Sequence, residues 1–212
     1  NSKQRLSWKE TYFVDLKSHP AFAWWFANRF FFWAAFTTMA TFLLFFAIDV
    51  IGLSEANAQV HLGNLALILG GGILVITLPA GWLADKIGRK PLVIGSGYLA
   101  AIGSLVILFV RDLTLLAVGG AIIGVAAGVF ISANFALITD IVPPKEAGRY
   151  LGVAGIAGAA GGAIARLVGG LLVDPINSYF NSSSIGYLIL YASACILFIL
   201  SSVAASRLPA PE

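Results

Sequence analysis

Six long, uninterrupted apolar runs constrain this chain more than anything else in it. They extend from about Ala21 to Val50, Leu62 to Ala84, Pro91 to Val110, Leu113 to Val142, Leu151 to Val173 and Ile185 to Ala205. A helix needs roughly 20 mostly apolar residues to cross the hydrocarbon of a bilayer, and each run is that long. A membrane barrel would instead alternate apolar and polar residues over segments of about ten. The expected fold is therefore an all-α membrane protein, with six transmembrane helices bundled over residues 21–206. Residues 1–20, with Trp8, Tyr12, Phe13 and Leu16 among lysines, read as an interfacial segment or linker, and 207–212 as a tail. Charged residues make up only 11% of the chain, against about 25% in a soluble domain, too few to cover a water-soluble surface.

Lysine and arginine placement orients such a bundle. Lys3, Arg5, Lys9 and Lys17 precede the first run; Lys86, Arg89 and Lys90 separate the second from the third; Lys145 and Arg149 separate the fourth from the fifth; Arg207 follows the sixth. All ten fall on one side, which is expected to be cytoplasmic together with both termini, in a plasma (bacterial inner) membrane. The other side has Arg111 alone, and its loops are expected to hold Asp49, Glu55, Asp112 and Asp174. The net charge of +3 thus reflects topology and not a nucleic-acid partner. The first residue is Asn1 and not Met, so a longer protein is expected.

The second run ends Gly81-Trp82-Leu83-Ala84-Asp85 and the fifth ends Gly170-Leu171-Leu172-Val173-Asp174. Both read G-x-L-x-D at the close of the second helix of a group of three. That echo is expected from a 3+3 inverted repeat, or from chance among abundant Gly and Leu. The fifth run also carries Gly152, Gly155, Gly158, Gly161 and Gly162. Small residues at three- and four-residue spacing let helix backbones touch in lipid, within the bundle or against a partner.

Two arginines enter the runs. Charge inside a bilayer is costly and points to function by default. Arg29 lies roughly 12 Å into the first helix; it either snorkels to the interface or pairs with a substrate or carboxylate. Arg166, toward the far end of the fifth, either snorkels or anchors an anionic group. No Asp or Glu lies mid-helix, and neither His19 nor His61 is mid-membrane. Together with the single Cys195, this leaves no metal-ligand set or cofactor site, and it argues against an intramembrane metalloprotease. No enzyme activity is expected.

The stretch Gly81-Trp82-Leu83-Ala84-Asp85-Lys86-Ile87-Gly88-Arg89-Lys90-Pro91 resembles the loop motif G-x-L-x-D-x-x-G-R-K/R of the major facilitator superfamily, matching at Gly81, Leu83, Asp85, Gly88, Arg89 and Lys90. Asn134 to Pro143 with Gly148-Arg149 is similar to the junction of helices four and five in the family's sugar–proton symporter-like branches. A full member has twelve spans, and the basic, aromatic N-terminal stretch resembles the end of the central cytoplasmic loop. The resemblance therefore implies the C-terminal half, with an N-terminal six-helix half or a sister chain as its missing partner. It also implies a gating motif of Gly81, Asp85, Gly88, Arg89, Lys90 and Asp140, with a relay Asp85–Arg89–Asp140. Asp85 and Arg89 are four residues apart, within reach if the helical turn persists.

The resemblance further places helices one and four along a central cavity. Candidate substrate residues are Asn28, Arg29, Thr37, Thr38, Thr41, Asn134 and Arg166. Thr37, Thr38 and Thr41 share an arc of about 100°, with Asn28 outside it. Helices two and five would form the interface with the other half, through Gly152, Gly155, Gly158 and Gly162. The function implied is secondary active transport of a small solute by alternating access in a lipid bilayer. The alternative is a transporter-fold subunit that no longer transports and serves as a scaffold or assembly factor.

Overall fold

The computed structural model describes residues 20–110, 112–142 and 147–209. The N-terminal segment 1–19, Arg111, the stretch 143–146 with Lys145, and 210–212 lie outside the described residues, as does the side chain of Arg149. Six helices follow in order: α1 (Pro20–Asp49), α2 (Glu55–Ile87), α3 (Arg89–Leu108), α4 (Leu113–Ile141), α5 (Ala147–Tyr179) and α6 (Ile185–Ser206). Each is long and apolar enough to cross a membrane, and no strand occurs among the described residues. The chain is an all-α integral membrane protein.

Local chemistry sets the helix ends. Pro20 opens α1, where its missing N–H costs nothing. Asp112 caps α4, its carboxylate accepting from the Leu115 N–H at 2.9 Å. Between α2 and α3 stands Gly88 at φ 93° and ψ 150°, a region essentially reserved for glycine, so α3 restarts at once in a new direction.

Two boundaries differ from expectation. α2 begins at Glu55 and not Leu62, and α5 continues through Pro175 to Tyr179 beyond Val173. Glu55 and Asp174 are therefore helical and not loop residues, and Asp49 is the last residue of α1. Backbone hydrogen bonding carries a helix past the end of its apolar run, because polar residues such as those of 55–61 are compatible with a helix. Neither G-x-L-x-D stretch closes its helix, since α2 runs on to Ile87 and α5 to Tyr179.

The main packing contacts form a chain of neighbours: α2 on α4, α4 on α3, α3 on α6, α6 on α1, α1 on α5. Exchanging α1 with α4, α2 with α5 and α3 with α6 reproduces the same chain. The pair that maps onto itself, α3 and α6, must then be antiparallel, and it is. Ser202 Oγ donates to Ile94 O at 2.9 Å, Cys195 Sγ to Ala101 O at 3.5 Å, and Ser104 Oγ to Tyr191 O at 3.1 Å. This is a 3+3 inverted repeat.

Aromatic packing fills the middle. Phe32 of α1 stacks on Phe130 of α4 at 3.6 Å between centroids and meets Phe198 of α6 edge-on at 5.2 Å. At the flanks, glycine allows backbone contact. A Cβ on Gly128 would lie 2.0 Å from Ile76 Cγ2, and one on Gly161 would lie 2.6 Å from the Phe30 carbonyl oxygen. α2 thus beds into α4, and α5 into α1, by the close approach that drives association in lipid.

Candidate functional site

The end of the bundle that carries Gly81 to Pro91 is tied by two adjacent cations. Arg89, at the start of α3, reaches across to the C-terminal end of α4. One of its Nη atoms donates to Asp140 at 2.5 Å and to the Ala136 carbonyl at 2.9 Å. Lys90 donates to the Leu208 carbonyl just past α6. Each reaches the C-terminal end of a neighbouring helix, where the negative end of the dipole favours a cation. Arg89–Asp140 is the only ion pair among the described residues.

Asp85 stands apart from this pair. It is exposed on α2, and the helical turn that would bring it to Arg89 ends at Gly88. The expected three-residue relay is therefore formed in its Arg89–Asp140 arm alone. Beside Asp85, Lys86 Nζ sits over the Trp82 ring at 3.8 Å. Gly81 lies against α4, where a Cβ would meet Ser132 Oγ at 3.4 Å.

Deeper in the same half of the bundle is a buried polar network. Asn28, Asn134 and Ser201 are fully buried, and Arg29 is 6% exposed. Asn28 Nδ2 donates to the carbonyl and the hydroxyl oxygen of Ser201, at 2.9 and 2.8 Å. Ser201 Oγ donates back to the Asn28 carbonyl at 2.9 Å. Asn134 Nδ2 donates to Asn28 Oδ1 at 2.9 Å, which turns Asn134 Oδ1 toward Arg29 to accept from Nη1 at 2.8 Å. Arg29 Nε donates to the Ala154 carbonyl at 3.1 Å, and Trp25 Nε1 to the Asn134 carbonyl at 3.1 Å. Four helices, α1, α4, α5 and α6, meet here.

Arg29 does not snorkel: it is buried among neutral acceptors and aromatic faces. Its guanidinium carbon lies 4.3 Å from the Phe135 ring centroid and 5.6 Å from that of Trp25. Cation–π contact and charge-assisted hydrogen bonds offset part of the cost of a buried charge.

Of the residues singled out in the sequence, Asn28, Arg29 and Asn134 are thus brought together. Thr38 is buried, with its hydroxyl donating to its own helix at Ala34 O, 2.8 Å. Thr37 packs beneath Gly162. Arg166 is exposed on α5 and joins no ion pair among the described residues. An apolar cavity of about 100 Å³ lies toward the other end of the bundle, bounded by Met39, Leu69, Ile107, Leu116, Ile123 and Tyr191. It adjoins a groove of about 530 Å³ between α1 and α2, lined by residues such as Phe36, Leu43, Leu62 and Gly70. Thr37, Thr38 and Thr41 line neither. Ser201 and Ala154 were not anticipated; the one signal in the sequence was the Ser201-Ser202 pair inside an apolar run.

The small-residue face of α5 divides in two. Gly158 and Gly162 lie under Trp33 and Thr37 of α1, so they pack within the bundle. Gly152 and Gly155 have none of the described residues within 4 Å of an added Cβ, and neither do Gly70, Gly71 and Gly72 on α2.

The sequence profile of the Major Facilitator Superfamily matches residues 58–212. The minor myo-inositol transporter IolF of Bacillus subtilis is 32% identical over 132 residues, covering 62% of this chain and 28% of that protein. The class H tetracycline resistance protein of Pasteurella multocida is 34% identical over 149 residues, covering 70% of this chain and 35% of that protein. Among solved structures, an auto-inhibited POT family peptide transporter superposes with a TM-score of 0.70 at 17% identity, over 91% of this chain and 39% of that one. The chain therefore spans well under half the length of the relatives it matches. The profile, the motif and the inverted repeat agree: this chain belongs to the major facilitator superfamily.

Proposed function

We propose that this chain is the C-terminal six-helix half of a secondary transporter that moves a small solute by alternating access. On this reading an N-terminal half, in the same polypeptide or a sister chain, completes the cavity. The motif end faces the cytoplasm of a plasma (bacterial inner) membrane, as the lysine and arginine placement favours.

The observation that carries this reading is an asymmetry along the bundle. The motif end is tied by Arg89–Asp140, by Lys90 on Leu208 and by the Asn28–Arg29–Asn134 network, while toward the other end α1 and α2 are parted by the groove. In alternating access one half rocks against the other, so that contacts at one end close as those at the other end part. Exposed Asp85 and the uncovered glycines of α2 and α5 then face the other half. There a carboxylate is stabilised by a helix N-terminus, and small residues permit close contact.

The test is uptake by the full-length protein in proteoliposomes. A starting panel is the solutes in the relatives' names, myo-inositol and tetracycline, followed by wider sets. Cysteine accessibility is followed at both ends of the bundle in parallel. Solute-dependent exchange of accessibility between the ends supports the reading. A protein that holds one accessibility pattern under every solute and moves none of them is the scaffold or assembly subunit instead.

A further inference from the structure

We infer that Arg29 forms an anion-receiving site at the seam of α1, α4 and α5, and that the group it receives is a carboxylate or similar anionic oxygen. The transporter reading enters only in naming the solute as one source of that group; the other source is an acidic side chain in the rest of the protein.

The argument is an imbalance of donors over acceptors. Arg29 Nε and one Nη are satisfied by the Ala154 carbonyl and Asn134 Oδ1, both neutral. The second Nη has no acceptor among the described residues. Guanidinium is permanently charged and carries five N–H donors, so two neutral acceptors leave it under-satisfied. One helical turn along the same face of α1, Trp33 Nε1 is buried with no hydrogen-bond partner, the only such side-chain atom among the described residues. Arg29, Trp33 and Thr37 lie against Ala154, Gly158 and Gly162 of α5. Among the described residues the seam therefore holds two donors without acceptors and no Asp or Glu. The one carboxylate paired with a cation, Asp140, is engaged by Arg89 at the motif end.

Partial desolvation makes this deficit count: Arg29 is 6% exposed, and its second Nη is not among the fully buried atoms. A lone buried charge is expensive in lipid, and an ionic acceptor relieves it far better than an amide oxygen does. The route in is marked by Phe135, which lies over the guanidinium at 4.3 Å yet is 44% exposed. Rotation of that one ring uncovers the cation. The planar fork of the guanidinium suits a two-oxygen acid.

The test uses the full-length protein in nanodiscs, with sodium benzoate as the probe, benzamide as its uncharged isostere and sodium chloride at equal ionic strength as control. Benzoate is expected to raise Tm where benzamide and chloride do not. Arg29→Gln should weaken half-saturation by about tenfold or more, the loss of one charge-assisted hydrogen bond. Trp33→Phe keeps the ring and removes the N–H. It is expected to weaken benzoate while leaving unliganded Tm nearly unchanged, so the inference stays testable if Arg29→Gln does not fold.

If wild type ignores benzoate, each intramembrane Asp or Glu of the full-length protein is changed to its amide alone and with Arg29→Gln. A non-additive pair identifies the protein's own carboxylate as the anion. No benzoate response and no coupled acid, or a benzoate response untouched by Arg29→Gln, overturns the site and leaves Arg29 a clamp on neutral acceptors. Uptake is read separately: a protein that transports nothing but shows the Arg29-dependent benzoate shift loses the transporter reading and keeps the site.

Discussion

Replacing Asn28 by Leu tests whether the buried network holds the bundle together or only fills it. Asn28 makes two donations to Ser201 and accepts one from Asn134, all between 2.8 and 2.9 Å and fully buried. Interhelical hydrogen bonds in a bilayer average about 0.6 kcal/mol, with a ceiling near 1.7. Three of them therefore amount to about 2 kcal/mol and at most about 5. A second effect adds to the loss. Asn28 Oδ1 accepts from Asn134 Nδ2 and so holds the Asn134 oxygen toward Arg29. Without Asn28 the Asn134 NH2 loses its acceptor, and an unpaired buried donor costs about 1–3 kcal/mol. We expect Asn28→Leu to lose about 2–4 kcal/mol in equilibrium unfolding in mixed micelles of increasing SDS fraction. Ser201→Ala alone should cost less, and the double variant should fall short of the sum by about 1 kcal/mol, as contacting residues do. A loss under about 0.5 kcal/mol with additive singles would refute the reasoning.

Three further outcomes are expected. Gly161→Ala places a Cβ 2.6 Å from the Phe30 carbonyl oxygen and should lower stability by about 1–3 kcal/mol, read as Tm, whereas Gly155→Ala has open space and should leave Tm level or slightly raised; Gly155→Leu should nonetheless impair uptake if the other half covers that face. Gly88→Ala forces a side chain onto φ 93° and should cost about 1–3 kcal/mol, measurable by the same unfolding assay. Asp140→Asn removes an ion pair whose side chains are 30% and 35% exposed, so stability should change by no more than about 1 kcal/mol; a cysteine at Ser132, in a Cys195→Ala background, should still label faster as the motif end loosens.

The six spans were legible because hydrocarbon thickness imposes a length that sequence displays directly. Their ends were less so: the polar stretch at 55–61 and Pro175 both lie inside helices, since hydropathy marks where lipid is and not where hydrogen bonding stops. The motif was legible in its residues, but Gly88 broke the turn on which the Asp85–Arg89 contact depended. Lys90 reaching Leu208 depends on a helix 118 residues away, and no local spacing encodes that. Asn28, outside the threonine arc, became the centre of the site for the same reason. In a soluble helix the apolar stripe reveals the buried face, but α1 is apolar on its lipid side as well as its core side. Which face meets α4 and α6 is decided by complementary packing across the bundle.

The parallel seam of α1 on α5 has one more property. Arg29, Trp33 and Thr37 step along Ala154, Gly158 and Gly162, one turn apiece. A slide of one helical pitch, about 5.4 Å, would bring Ala157 or Ala165 in place of Gly161 beneath the Phe30 carbonyl. Shape therefore notches the seam once, at Gly161. Arg29 notches it a second time, since its bonds to Ala154 and Asn134 close only at one setting. A charged side chain thus helps to index the position of an entire helix, and whatever competes for its hydrogen bonds competes for that alignment too.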